Sequence, residues 1–528
     1  MARERGVRRL DLLVTGVLLA APAASAAEDA AIRSLYTSLC AVCHGGDRLG
    51  GTGPALLPES LARLGPDRAR RVVAEGRPAT QMPGFAEVLT PEQIEALVAY
   101  IFAPPREPPV WTEARIRASR RWLVDPARLP ARPVHDADPS NLFVLVEQGD
   151  HHASIIDGDR LVRLARFPTP YAVHGGPKFS PDGRFVHFVS RDGWVLRYDL
   201  WGLLPVAEVR AGINTRNIAI SADGRVLAVA NWLPPTLVLL DAASLELLKV
   251  IEVADRRGGQ RSRVSAVYAA PPRNSFLVAL KDLPELWEID WRPDAPPVFE
   301  GLVHSHEKGM VEAIPSSVGP FPIRRIDELP EPMDDFVFDP SWRHVVGSSR
   351  DGSKLRVVNL DVRRVIAEVP AAGLPHLGAG ITFEREGTRL LAFPNLREAS
   401  LTVLDTRTWQ VVKRIETLGP GFFLRSHEKS RYAWLDASLG PKRDTVQVID
   451  KATLEIVRTL TPVPGATAAH TEFDRHGRRV LLSVGDRDGW VVVYDAATLE
   501  EVKRIPADKP SGKYNVGNKI GRSEGTSH

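Results

Sequence analysis

From about residue 140 onward, Val, Leu and Ile alternate with polar residues in short runs, the pattern of half-buried β-strands. The runs recur in a fixed order of turn, strand, turn, strand and turn. Ser180-Pro181-Asp182-Gly183-Arg184 leads into a strand from Phe185 to Ser190, then Arg191-Asp192-Gly193-Trp194, then a strand from Val195 to Asp199. Ser221-Ala222-Asp223-Gly224-Arg225 opens the same unit, which ends at Leu239-Leu240-Asp241. Further units start near Asp339, Glu384, Glu428 and Asp474, and weaker copies occupy 140–164 and 272–291. A spacing of roughly 40–50 residues is the period of a β-propeller blade. Eight units predict an eight-bladed β-propeller over residues 136–528, with seven blades as the alternative. Blades stacked around a channel leave only short edges, and a large cofactor can lie across the channel mouth.

The N-terminal part has a different period. Ala69 to Glu75 has helical spacing, and Gly76 can end that helix. Thr90-Pro91-Glu92-Gln93 supplies an N-cap, a first-turn Pro and an acidic residue ahead of a helix reaching Ile101. Residues 27–103 therefore predict a small α-helical domain. A linker over 104–135 follows, beginning with the stiff run Pro104-Pro105-Arg106-Glu107-Pro108-Pro109. The expected fold class is α followed by all-β.

Composition refines this only slightly. Hydrophobic residues make up 44% and charged residues 25%, ordinary for a globular protein. A net charge of +3 gives no case for a nucleic-acid partner. Residues 1–26 read as a signal peptide: Arg3, Arg5, Arg8 and Arg9 form a basic segment, Leu12 to Pro22 an apolar one, and Ala24-Ser25-Ala26 a cleavage pattern. A retained anchor is the alternative. No later run is apolar and long enough to span a bilayer, so the mature chain is expected to be periplasmic, with no membrane span.

The two cysteines lie together in Cys40-Ala41-Val42-Cys43-His44, the attachment pattern of c-type haem. Two thiols can add across the porphyrin vinyl groups while the His ligates iron from below. A redox dithiol would need a βαβ context, and a zinc site would need two more ligands at matching spacing; neither follows. Met82, in Gln81-Met82-Pro83-Gly84-Phe85, is the natural sixth ligand, and a His/Met pair suits electron transfer. Residues 30–103 thus look like a class I cytochrome c domain with one covalent haem c.

A cytochrome c domain followed by an eight-bladed propeller resembles the cytochrome cd1 nitrite reductase family. The stretch that carries the resemblance best is Thr169-Pro170-Tyr171-Ala172-Val173-His174, with Gly183-Arg184, Arg191-Asp192-Gly193 and Asp199-Leu200-Trp201 behind it. Ala230-Asn231-Trp232-Leu233-Pro234-Pro235, Leu374-Pro375-His376-Leu377-Gly378-Ala379-Gly380 and Pro510-Ser511-Gly512-Lys513-Tyr514-Asn515-Val516 also match. The resemblance implies a non-covalent haem d1 in the propeller, with His174 as its proximal iron ligand. Haem d1 carries several carboxylates, and Arg191, Arg216 and Arg425 fall where the family places cations to pair with them. Trp232, Ser511 and Gly512 belong to the same expected cofactor-binding set.

The chain departs from the reductases at their two distal histidines. One matches His376; the other is expected in Ala269-Ala270-Pro271-Pro272-Arg273-Asn274, which has none. His470 stands instead where the reductases tend to have Gln. His376, His470 and Tyr514 together resemble a branch of the family, the dihydro-haem d1 dehydrogenases of haem d1 biogenesis for denitrification. Such enzymes desaturate a propionate side chain to an acrylate. The expected catalytic group is His376, His470 and Tyr514, any of which can take the proton; His470 is also a candidate second axial ligand beside His174. Electrons would pass to haem c and on to an external acceptor. A nitrite reductase and a non-catalytic haem d1 carrier are the alternatives. Partners implied are a haem d1 precursor as substrate, and the nitrite reductase or other biogenesis proteins.

Overall fold

In the computed structural model, the described residues are 21–51, 53–62, 64–77, 82–105, 107–173, 176–299, 315–371, 373–485, 488–522 and 524. His174, Gln81 and most of the expected signal peptide lie outside them, as do His304 and His306.

The first domain is helical: α1 (Ala21–Leu39), α2 (Ala41–His44), α3 (Pro58–Leu61), α4 (Pro66–Glu75) and α5 (Pro91–Phe102). Helix α4 starts earlier than its apolar period suggests, because Gly65 and Pro66 set its N-terminus. Thr90 caps α5 as expected. Its side chain accepts from Gln93 N, and Gln93 reaches back to the Thr90 N–H. Tyr36, Leu61, Leu89, Ile94, Leu97 and Ile101 form this domain's core.

Beyond it stand eight blades. Each has four antiparallel strands, and the first blade gains a fifth, outer strand, Arg121–Trp122. Their inner strands are Lys178–Phe179, Asn214–Ile220, Val264–Ala270, Phe336–Phe338, Ile381–Arg385, Leu424–Arg425, Ala468–Phe473 and Pro510–Asn515, for blades 1 to 8 in order. The eighth blade closes the ring: the C-terminal strand Pro510–Asn515 pairs with Leu142–Glu147 from the start of the propeller. The weak copy at 140–164 is the rest of this blade.

Two side-chain devices explain the repeat. In the Ser-x-Asp-Gly turns, Ser180 Oγ and Ser221 Oγ each accept from the N–H opening the next strand, Phe185 N and Val226 N, both at 2.9 Å. Gly183 (φ +72°) and Gly224 (φ +73°) supply the left-handed corner. At the second turn, Asp241 and Asp495 accept from N–H groups two and three residues on.

Each inner strand begins where the preceding blade's outer strand ends, so all eight run in one direction. Inner-strand N-termini and the turns between second and third strands therefore share one face, the mouth face. It carries the segment 169–173, the Arg191 turn, the Trp232 end of strand Val226–Leu233, His376 and Ser511–Gly512. The helical domain docks on it. Leu49, Ala55 and Leu57 pack against Ile213, with Trp111 and Leu233 at the margin. Among the described residues, no helix is long and apolar enough to cross a membrane.

Candidate functional site

The local site is built on one turn. Cys40 is the N-cap of α2 and His44 its last residue, so both thiols and the imidazole face one neighbourhood. The thiols are free and half-buried. The His44 ring is buried, and its Nδ1 lies 2.8 Å from the Pro54 carbonyl. A carbonyl only accepts, so Nδ1 carries the proton and Nε2 keeps its lone pair. A Cβ on Gly53 would come within 2.7 Å of the ring, so the loop needs glycine there.

Met82 is half-buried in a loop tied to the end of α4 by Arg77 N to Met82 O (3.0 Å), Phe85 N to Val73 O (2.9 Å) and Ala86 N to Ala74 O (3.0 Å). Gly76 (φ +77°) lets this loop approach. Two thiols, one pre-oriented imidazole and a clamped thioether fit a covalently held haem. Among the described residues, no cluster of three His, Cys, Asp or Glu could hold a bare metal ion.

The second site is assembled from distant strands. His470 lies on the inner strand of blade 7, at a bulge between Ala469 and Thr471, with φ +54°. A left-handed conformation at a bulky residue is strained, and such strain gathers at functional sites. The bulge aims the ring inward, 4.4 Å from Phe423 and 5.3 Å from Tyr514 between centroids. His376 shares Phe423 with it, lying 4.4 Å from Phe422 and 6.4 Å from Phe423. Gly176, two residues past His174, lies against the Tyr514 ring: a Cβ there would be 3.1 Å from it. Gly512 also faces Tyr514, with no room for a side chain. Ser511 bonds the Val146 carbonyl (3.2 Å) and fixes this strand's start.

The two histidines are held in opposite tautomers. His376 Nδ1 lies 2.7 Å from the Phe422 carbonyl, so Nδ1 is protonated and Nε2 is a free acceptor, the state of His44. His470 Nδ1 instead receives the Lys513 N–H at 3.4 Å, which places its proton on Nε2, an atom with no hydrogen-bond partner. Iron ligation by His470 would require that bond to break and the proton to move. Burial lowers the pKa of both rings; for His470, Lys513 and Arg425 add to the effect. Burial pushes the Tyr514 phenol up to about 12.

Around these rings lies a cluster of cations that sequence reading largely missed. Lys513 is fully buried and donates to the His470 carbonyl. Among the described residues, Arg425, 3% exposed, bonds the Leu424 carbonyl alone and its Nε has no partner. Lys519, from the C-terminal helix Val516–Gly521, reaches buried Glu472 at 3.7 Å. Burial drives Lys519 down to about 8 and Lys178 to about 7, the latter helped by the charge of Lys519. Two buried carboxylates, Glu472 and Asp436, face Arg425 and Lys513, and Glu472 also faces Lys519, so with Lys178 the cluster still holds more cations than carboxylates. Lys513 lies in the inner strand Pro510-Ser511-Gly512-Lys513-Tyr514-Asn515, whose polar composition gives no sign that the lysine is buried.

The remaining predicted residues sit farther round the mouth. Arg191 is half-buried in its turn, its N–H on the Ala172 carbonyl (3.1 Å). Arg216 lies on the inner strand of blade 2, its Nε bonded to the Ser265 carbonyl (3.2 Å). Trp232 is flanked by Arg263 (5.3 Å) and Lys281 (5.4 Å), and its indole N–H has no partner among the described residues. Tyr268 and Asp335, bonded at 2.9 Å, stand between Arg216 and His376. No direct contact joins Arg191, Arg216 or Trp232 to His470 or Tyr514 among the described residues. The structure corrects one sequence argument: Ala269–Asn274 ends an inner strand and turns on the face opposite the mouth. A histidine on the turn Pro271–Asn274 would lie away from the mouth-side rings.

Comparison with known proteins agrees with this geometry. The family described as cytochrome D1 heme domain matches residues 137–301 and 316–519. That described as cytochrome C oxidase, cbb3-type, subunit III matches 27–101, the helical domain. A dihydro-heme d1 dehydrogenase of Pseudomonas aeruginosa is 54% identical over 98% of this chain and 100% of its own length. A nitrite reductase of Stutzerimonas stutzeri is 26% identical, over 94% of each chain. A solved structure, dihydro-heme d1 dehydrogenase NirN in complex with DHE, superposes with a TM-score of 0.85 at 53% identity, covering 92% of this chain and 99% of that one. The chain belongs to the cytochrome d1 haem domain family, carrying an N-terminal cytochrome c domain.

Proposed function

We propose that this protein is a periplasmic dihydro-haem d1 dehydrogenase that converts a propionate side chain of its tetrapyrrole substrate into an acrylate. The observation that carries the reading is the buried positive cluster of the channel: Arg425 and Lys513 beside His470 and Tyr514, with Lys519 against Tyr514 and Lys178 next to Lys519. A polycarboxylate substrate supplies the missing anions. His174 is the substrate-iron ligand in this reading, and Arg191, Arg216, Trp232, Ser511 and Gly512 complete the binding surface. Cys40, Cys43, His44 and Met82 are the residues that would hold haem c, which would supply a one-electron acceptor beside the substrate site.

Desaturation removes two electrons and two protons. The electrons leave singly through the cytochrome domain to an external one-electron acceptor. His376, with its Nε2 lone pair free, is placed to accept one proton. Tyr514 stays protonated across the neutral range and donates a hydrogen bond, as does His470 from Nε2–H. The second proton leaves to solvent. The product would pass to the nitrite reductase or another protein of haem d1 biogenesis.

The test is anaerobic mixing of haem c-loaded protein with dihydro-haem d1 and an oxidised acceptor. The expected result is stoichiometric acrylate product, with no nitric oxide formed from nitrite. Nitrite turnover would replace this reading with a reductase. Tight binding without conversion would leave a carrier.

A further inference from the structure

Arg210 closes the outer strand of blade 1, yet its guanidinium is buried, 5% exposed, and has no carboxylate in ion-pair range among the described residues. Its donors go to backbone carbonyls on both domains. Nε donates to Asp192 O at 2.8 Å, in the propeller turn that holds Arg191. Nη2 donates to Leu49 O and Nη1 to Gly50 O (3.5 Å), in the loop after His44. The cation lies 4.6 Å from the Trp111 ring, whose Nε1 donates to Arg210 O at 2.9 Å. A Cβ on Gly50 (φ +86°) would lie 3.1 Å from Nη2, so the haem-loop backbone approaches where only glycine fits.

These contacts join the two sites by a short route. Gly50 N donates to His44 O at 2.8 Å, tying the Arg210-bound loop to the predicted haem c ligand. On the other side, Asp192 follows Arg191, whose N–H holds Ala172 O, two residues before His174. Among the described residues, the other polar contacts between the two domains are longer: Asn214 Nδ2 to Ser60 Oγ at 3.5 Å, Arg77 Nη1 to Tyr171 OH at 3.4 Å and Arg115 to Asp47 at 3.9 Å.

We infer that Arg210 is a positioning residue for electron transfer, pinning the haem c loop to the propeller turn beside the substrate site. The inference rests on the dehydrogenase reading for its functional half and on geometry alone for its docking half. A planar fork spreads its donors over three nitrogens in fixed directions and can hold carbonyls of two domains at once; an ammonium carries its three donors on one nitrogen and does not span them in the same way. Electron passage between two separately folded domains depends on the distance and orientation at which they are held, so loosening this contact slows it.

Arg210→Met and Arg210→Lys, in haem c-loaded protein, test this with three readouts. Reduction of haem c by dihydro-haem d1, followed by stopped flow, should slow about tenfold or more in both variants. Haem d1 affinity and the haem c spectrum should stay as in the parent. Protease cleavage between Ala103 and Trp111 in ligand-free protein should quicken, reporting a released domain. Arg210→Lys keeps the charge, so a folding failure confined to Arg210→Met leaves the test standing. Parent-rate reduction in the Lys variant overturns the inference, as does slowed reduction with unchanged cleavage. Parent protein that fails to reduce its haem c counts against the dehydrogenase reading instead, and the cleavage result still decides the docking role.

Discussion

Cys40, Cys43 and His44 sit on one helical turn, whereas Arg216, His376, Arg425, His470 and Tyr514 come from five different blades. The first site is fixed by chain connectivity: any fold of α2 brings its donors together. The second exists only when the ring of blades closes through Pro510–Asn515 and Leu142–Glu147. One stores its information in spacing, the other in topology. The same chemical device nevertheless recurs in both. His44 and His376 each donate Nδ1–H to a backbone carbonyl, leaving Nε2 open.

The comparison predicts that the local site can be removed while the assembled one survives. His44→Ala should abolish turnover outright, because the electrons then have no exit, while haem d1 binding stays near that of the parent. Titrating haem d1 into the variant, beside an acceptor-linked assay, checks both halves. A variant that loses binding as well would show the two sites to be one cooperative unit.

A second, smaller effect separates stability from function within the propeller. Arg425 is a buried cation with an unpartnered Nε. Removing an under-satisfied buried charge relieves the empty protein. Removing a cation that pairs with a substrate carboxylate costs about 1.5–3 kcal/mol of binding. Arg425→Met should therefore raise the Tm of ligand-free protein and weaken haem d1 binding on the order of 10- to 100-fold. Calorimetric unfolding with a binding titration tests this. A fall in both would make Arg425 a structural residue.

These contrasts also explain what could be read from the sequence. The Cys-x-x-Cys-His turn, the Thr90 capping box and the Ser-x-Asp-Gly blade turns are local and were legible. The eight-bladed count followed from the period, because each turn rests on contacts within a few residues. Lys513, Lys519 and Glu472 were not legible as a site. Their meaning depends on which strands the ring brings together, and a lysine in a strand reads as an outward-facing position. The second distal position was misplaced for the same reason: Ala269–Asn274 lies at the wrong end of its strand, and spacing alone does not show which end faces the mouth.

The smallest expected effect is a pH dependence of opposite sign for folding and for binding. Lys178 faces Lys519, and Lys519 in turn faces Glu472 and Arg425. Burial lowers Lys178 to about 7 and Lys519 to about 8 in the ligand-free fold, below the ordinary lysine value. The unfolded chain therefore binds more protons than the native one from about pH 7 to the ordinary lysine range near 10.4. The penalty is full below pH 7 and fades as pH rises, so this part of the stability climbs with pH. An anionic substrate restores the charged forms, so binding takes up protons and weakens as pH rises through 7 and 8. One linked proton changes affinity at most about tenfold per pH unit. Binding heats in buffers of different ionisation enthalpy should show net proton uptake at pH 8. Lys178→Met should reduce that uptake and flatten the affinity profile; an unchanged profile would place Lys178 outside the carboxylate-binding cluster.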